Sequence, residues 1–269
     1  LAYINLNNME KFFENNLKKA TPQEMGINTS KVFSGESELK PSREAYNETP
    51  IIFSEEIKKR LSPDKEYILA DIKSFKGELI NKILELSPEY KFNTVAVDIN
   101  EEALKQNNLG TKLVANADNL PFKDKSIDIE IVRFLLQWNS WEKQKEIIKE
   151  IARTVKEFAL IQHGGADNNN PKDWRFKMDQ LLSGDVVLKL KRGEHFFSSR
   201  DEMEKMMKEE GIKFERTQEK VIDDIATIYS ERYGLDKEED KKARDILGDK
   251  NFFIQTNWII YSKDDKDDK

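Results

Sequence analysis

The stretch Tyr67-Ile68-Leu69-Ala70-Asp71-Ile72-Lys73-Ser74-Phe75-Lys76-Gly77 decides the fold. Its first six residues are a short, mostly apolar run of the kind that forms a strand buried on both faces. A turn through Gly77 follows, and then Leu79, Ile80, Ile83, Leu84 and Leu86 recur at helical spacing. The same unit repeats downstream. Residues 94–98 read as a second strand, 101–107 as a short helix closed by Asn108-Leu109-Gly110, and 112–115 as a brief third strand. Residues 127–134 make a fourth. A helix over 141–155 turns Ile147, Ile148, Ile151 and Val155 inward, and 158–162 is a fifth strand stopped by His163-Gly164-Gly165. Strands and helices alternating at this length predict an α/β fold: a Rossmann-like, doubly wound, mostly parallel sheet with helices on both faces.

Outward from this repeat the pattern loosens. Residues 51–61 read as a helix leading to Ser62-Pro63-Asp64, and residues 9–20 as a short helix with Phe12, Phe13 and Leu17 on one face. Between them, 21–50 carry Gly26, Gly35, Pro41 and Pro50 among polar residues, a loop-rich arm. Residues 1–8 read as an extension upstream of Met9. On the other side lie a polar loop at 167–171, a helix around 174–182 and a short apolar run at 186–190. Ser199-x-x-Glu202 is a capping box opening a helix with Met203, Met206 and Met207 on one face. A strand over 212–221, a helix over 222–233 stopped by Gly234, and a final antiparallel strand within 251–262 complete the pattern. The expected division is an arm at 1–50, a domain at 51–262 with an insertion at about 166–200, and a charged tail at 263–269.

Composition excludes several classes of function. With no cysteine and two histidines among 269 residues, there is no disulfide framework or thiolate zinc site, and no metal site is expected. Forty-five basic residues against 51 acidic ones give a net charge of −6, so bulk nucleic acid is not an expected partner. No segment approaches the roughly 18 consecutive apolar residues of a membrane span. The start lacks the basic and apolar regions of a signal peptide, so a cytoplasmic setting is expected. Walker, nucleophile-elbow and zincin motifs are absent.

In a doubly wound sheet the ligand sits beyond the carboxyl ends of the strands, near the point where strand order reverses. The first strand carries Asp71 there, and the second ends on Asp98, 21 residues after Gly77. Either acid alone is also explained as a helix cap. Together, Asp98 can hold both hydroxyls of a ribose while the first turn offers backbone N–H groups.

A third piece is Asn116-Ala117-Asp118-Asn119-Leu120-Pro121-Phe122, followed by Ser126-Ile127-Asp128 and an apolar strand. At these residues the chain resembles the class I S-adenosylmethionine-dependent methyltransferases, and within them the small-molecule, type 11-like branch. The segment at the place of the family's D-A-x-x-L-P-F, read here as Asn116-Ala117-Asp118-Asn119-Leu120-Pro121-Phe122 and followed by S-[FI]-D, carries the resemblance most specifically, with Asp118 as the acid that precedes Leu120-Pro121-Phe122. Glu150-Ile151-Ala152-Arg153 is similar to the family's E-x-x-R helix. The resemblance covers about residues 65–163 well and the C-terminal strands loosely.

The resemblance implies S-adenosylmethionine as cofactor. Asp98 would hold the ribose hydroxyls with Ile99 beside it, and Asp118 with Asn119 would lie by the adenine amino group. Arg133 and Phe134 would reach the methionine end. The first turn would supply Asp71, Lys73, Ser74, Phe75 and Gly77. In the family this turn reads D-x-G-x-G-x-G, and here Lys73 and Phe75 replace two of the glycines, which normally let the backbone approach the cofactor closely. The family's P-G-G turn before strand five is also missing.

The implied activity is methyl transfer to a small or medium-sized acceptor. Elements for placing that acceptor are residues 21–50, Trp138 and Trp141, the loop from His163, and His195-Phe196-Phe197, with His163 the candidate acid–base residue. The altered turn leaves an alternative open, a catalytically inactive methyltransferase-like binding or regulatory subunit. A nicotinamide dehydrogenase is a third, distant reading, since G-x-G-x-x-G is also lacking.

Overall fold

The computed structural model describes residues 44–183, 196–233 and 235–262. The expected helix at 9–20, most of the arm, Met9, the apolar run at 186–190, His195, Gly234 and the tail at 263–269 lie outside them.

Seven strands form one sheet in the order β3-β2-β1-β4-β5-β7-β6. They are β1 (Glu66–Ile72), β2 (Lys91–Asp98), β3 (Thr111–Val114), β4 (Ile127–Arg133), β5 (Val155–Gly165), β6 (Phe214–Asp223) and β7 (Phe252–Tyr261). The first five run parallel, while β7 is antiparallel to both β5 and β6. The expected mixed α/β sheet with an antiparallel final strand is therefore present. Strand order reverses between β1 and β4, which creates a crevice at their carboxyl ends.

The helices are α1 (Glu44–Arg60), α2 (Glu78–Leu86), α3 (Glu101–Lys105), α4 (Trp141–Thr154), α5 (Pro171–Ser183), α6 (Arg200–Glu209), α7 (Ile225–Tyr233) and α8 (Lys237–Leu247). One apolar cluster joins the inner face of α4 and the methionines of α6 to one side of the sheet. A second joins Phe53 and Ile57 of α1 and the apolar face of α2 to the other side. Because β1 lies between them, Leu69, Ala70 and Ile72 are all buried, which explains its unbroken apolar run.

Several boundaries differ from expectation. The helix expected at 51–61 begins at Glu44, so residues 44–50 are not loop. Pro50 lacks an N–H to continue the helix ladder, and the turn before it is held from outside. There the Thr49 hydroxyl donates to Gln162 Oε1 at 3.0 Å, and Lys220 pairs with Glu48 at 2.8 Å. Strand β5 does not stop at His163. Pairing with β7 carries it on, with His163 opposite Thr256 and Gly165 opposite Ile254. Residues 222 and 223 belong to β6 rather than to the following helix. Helix α4 passes directly into β5 between Thr154 and Val155, so no turn is needed where the family has P-G-G. The Ser199/Glu202 capping box forms as expected, and a second box, Asp236 with Glu239, opens α8.

Candidate functional site

The turn after β1 keeps an unusual backbone. Lys73, Phe75 and Gly77 have φ of 66°, 48° and 78°. All three positions where the family motif places glycine are thus left-handed, two of them with side chains that make this conformation cost about 1–2 kcal/mol each. Four N–H groups of the turn are used within the protein. Those of Lys73 and Ser74 donate to the Val97 carbonyl at 2.8 and 3.0 Å, and that of Gly77 to the Ser74 carbonyl at 2.8 Å. The Phe75 N–H donates to Asp98 Oδ2 at 2.9 Å. The expectation that the turn presents these groups to a ligand is corrected for these four: β2 lies close enough to take three of them.

Asn107 completes the staple, a residue whose place in the sequence marks only a helix end. Its amide donates to Ser74 Oγ at 3.0 Å and to the Phe75 carbonyl at 3.2 Å. Ser74 Oγ donates in turn to Asp71 Oδ2 at 2.8 Å. Burial pushes the Asp71 carboxyl up to about 7, against the Ser74 hydrogen bond and the positive charge of Arg133.

Gly77 is where the backbone admits no side chain. A Cβ there would lie 2.7 Å from Asn107 Oδ1, at a φ that already disfavours one. Gly77→Ala is expected to destabilise the protein by about 2 kcal/mol. Phe75→Gly is expected to stay within about 1 kcal/mol of wild type, because relief of left-handed strain offsets the greater freedom of the unfolded chain. Urea denaturation of both variants checks this, and equal losses would show that the Phe75 side chain holds the turn.

Asp98 lies at the end of β2, 6% exposed, with Oδ1 accepting the Asn100 N–H at 2.9 Å in addition to the Phe75 bond on Oδ2. Phe75 and Ile99 expose apolar surface on either side of this hydrogen-bonded corner, each 41% accessible. Across the crevice, Lys73 Nζ donates to the Phe134 carbonyl at 3.0 Å. Phe134 follows β4 with φ 49°, and its N–H donates to the Gln162 carbonyl at 2.9 Å. Arg133 closes β4 on the same side.

The Asp118 segment and the E-x-x-R helix prove to be one tertiary unit. Glu150 Oε1 accepts the Leu120 N–H at 2.8 Å, and Arg153 donates to the Phe122 carbonyl at 2.9 Å. Leu120 and Phe122 are fully buried beneath this clamp. Asp118 pairs with Lys143 of α4, whose ammonium it holds above the usual lysine range. Asn119 donates its N–H to the Asn116 carbonyl at 3.1 Å.

His163 is not a loop residue. It sits within β5, fully buried, with Nε2 3.0 Å from the Ser198 carbonyl and its ring stacked on Trp258. Burial pushes it down to about 4, against the Ser198 carbonyl. Being enclosed, it is not placed to exchange a proton with an acceptor, which corrects the expected role. Trp138 and Trp141 pack on Phe197 and Phe196, with ring centroids 5.8 and 5.6 Å apart. Among the described residues no helix is long and apolar enough to cross a membrane, and no cluster of three acidic or histidine side chains could hold a metal ion.

The strand order and the switch-point crevice define a class I methyltransferase fold. Residues 77–160 match a family described as a methyltransferase domain. The match begins at Gly77, just beyond the substituted part of the turn. Among solved structures, the YcgJ protein of Bacillus subtilis is similar at 16% identity and a TM-score of 0.60, over 80% of this chain and 99% of that one. A geranyl diphosphate methyltransferase in complex with S-adenosylmethionine is 12% identical with a TM-score of 0.54, over 82% and 92%. The geranyl diphosphate C-methyltransferase of Streptomyces coelicolor A3(2) is 12% identical with a TM-score of 0.51, over 82% and 85%. Among curated protein sequences none matches.

Proposed function

We propose that this protein transfers a methyl group from S-adenosylmethionine to a small or medium-sized acceptor. The observation that carries this reading is Asp98, set at the end of β2 beside the switch point and flanked by the exposed faces of Phe75 and Ile99. Each of its oxygens accepts one backbone N–H, and a carboxylate oxygen has room for a second donor. The residues present therefore fit the two hydroxyls of a ribose.

When bound, the cofactor supplies a sulfonium whose methyl group is already activated. The work left to this chain is positioning and exclusion of water. Asp98 and the stapled turn orient the nucleoside, with Ile99, Asp118 and Asn119 toward the base. Lys73, Arg133 and Phe134 border the other end of the crevice, above the buried Asp71, Ser74 and Gly77. A cytoplasmic setting belongs to the same reading and rests on a chain without cysteine.

The second reading is an inactive methyltransferase-like binding or regulatory subunit. It is favoured by a specific feature, the four turn N–H groups already used within the protein. Calorimetric titration with S-adenosylmethionine and S-adenosylhomocysteine separates the two. The enzyme reading expects saturable binding of both; no heat from correctly folded protein leaves the subunit reading.

A further inference from the structure

A cavity of about 340 Å³ opens between α5 and the segment leading into α6, lined by Lys172, Arg175, Phe176, Asp179, Phe196 and Phe197. This volume is in the range of small-molecule sites. None of the six residues belongs to the turn after β1, the end of β2 or the Asp118 segment, so the cavity is separate from the crevice described above. Residues 172, 175, 176 and 179 share one face of α5 by their three- and four-residue spacing.

The floor is held in place by the protein itself. Phe196 donates its N–H to the Gln137 carbonyl at 3.2 Å, and its own carbonyl accepts from the Gln144 amide. Trp141 packs on the Phe196 ring, and Trp174 on the Phe197 ring. Arg175 is fixed as well. Its guanidinium lies 4.5 Å from the Phe196 ring centroid, and Nη1 donates to Glu202 Oε2 at 2.7 Å and to the Phe197 carbonyl at 3.4 Å. Glu202 is in turn held by the capping box of α6. Among the described residues, the Nε–Nη2 edge of Arg175 and the Lys172 ammonium have no hydrogen-bond partner. Both are donors, so the group that complements them is an acceptor. Two parallel N–H groups on one guanidinium edge match the two oxygens of a carboxylate. Phe176 is 61% exposed, and a flat apolar group laid on it removes that ring from water.

We propose that this cavity binds a planar aromatic carboxylate. The ring packs between Phe176 and the aromatic floor. Its carboxylate takes the Nε–Nη2 edge of Arg175 and the Lys172 ammonium, at the end of the cavity away from Asp179. The site uses no residue of the crevice and stands whether or not the donor reading does.

The test is NMR titration of wild type, Lys172→Gln and Phe176→Ala with 2-naphthoate, its neutral counterpart 2-naphthamide, and acetate. Both substitutions fall on exposed side chains, so the fold is expected to persist. Wild type is expected to bind 2-naphthoate with a Kd of about 1 mM or tighter. The amide is expected to bind about fivefold more weakly, for want of a charged acceptor, and acetate about tenfold more weakly, for want of a ring. Lys172→Gln is expected to weaken 2-naphthoate about threefold and leave the amide unchanged. Phe176→Ala is expected to weaken both aromatic compounds about threefold. Saturating S-adenosylhomocysteine is expected to leave 2-naphthoate binding intact. Equal affinity of wild type for naphthoate and amide, indifference of naphthoate to both substitutions, or its displacement by S-adenosylhomocysteine overturns the assignment. So does absence of saturable 2-naphthoate binding.

Discussion

As pH rises from about 4.5 to about 8, wild type is expected to lose about 4 kcal/mol of stability relative to Glu130→Gln. Glu130 lies in the middle of β4, fully buried, with Oε1 accepting from the Thr154 hydroxyl and Oε2 without a partner. Burial pushes its carboxyl from 4.5 up to about 8, against the Thr154 hydrogen bond. Between those values the folded protein holds a proton that the unfolded chain has released. Stability is therefore greatest below the unfolded value and declines as pH rises through the folded one. The glutamine variant is neutral throughout, so it should match wild type near pH 4.5 and exceed it above pH 8. Asp71, pushed up to about 7, adds a slope of the same sign to both proteins, and His163, pushed down to about 4, adds one of the opposite sign to both, so neither changes the difference between them. Urea denaturation of both proteins across this range measures the effect. Parallel curves would show that Glu130 is ionised in the folded protein.

Asp98→Ala is expected to cost about 2–3 kcal/mol of stability and to weaken donor binding by about 1–3 kcal/mol. The stability loss follows from orphaning the Phe75 and Asn100 N–H groups, which both end on this carboxylate. The binding loss follows from the proposed contact with the ribose hydroxyls. Asp98→Asn separates the two contributions, because it keeps one acceptor oxygen but turns an amide donor toward one of those N–H groups. Denaturation and calorimetry on the same preparations give both numbers. Unchanged stability would show that the turn does not depend on Asp98, and unchanged affinity would remove the residue from the nucleoside site.

Much of the sheet was legible because a strand covered on both faces must be apolar along its length, as Leu69, Ala70 and Ile72 are. The helix faces were legible for the matching reason that burial on one side repeats at helical spacing, seen at Ile147, Ile148 and Ile151. Helix α8 went unread although Asp236-x-x-Glu239 announces it in the same way that Ser199-x-x-Glu202 announces α6. His163 was misplaced for a different reason. Two glycines in a row suggest a stop, yet antiparallel pairing with β7 extends the strand through Gly165. That partner lies far along the chain, beyond the reach of any local pattern.

Sequence alone determined the alternation of strands and helices, the acid at the end of β2, and the kinds of residue in the Asp118 segment and the E-x-x-R helix. Each of these depends on residue type at a local spacing, where burial and backbone geometry leave a direct mark. Tertiary structure decided the state of the turn after β1. Its N–H groups go to Val97, Asp98 and Ser74, its carbonyl and hydroxyl are tied to Asn107, and Lys73 spans to Phe134. Most of those partners come from other strands and helices, and only their arrival in space determines which groups remain for a ligand. The same holds for Glu130: its proton depends on how completely distant segments exclude water from it.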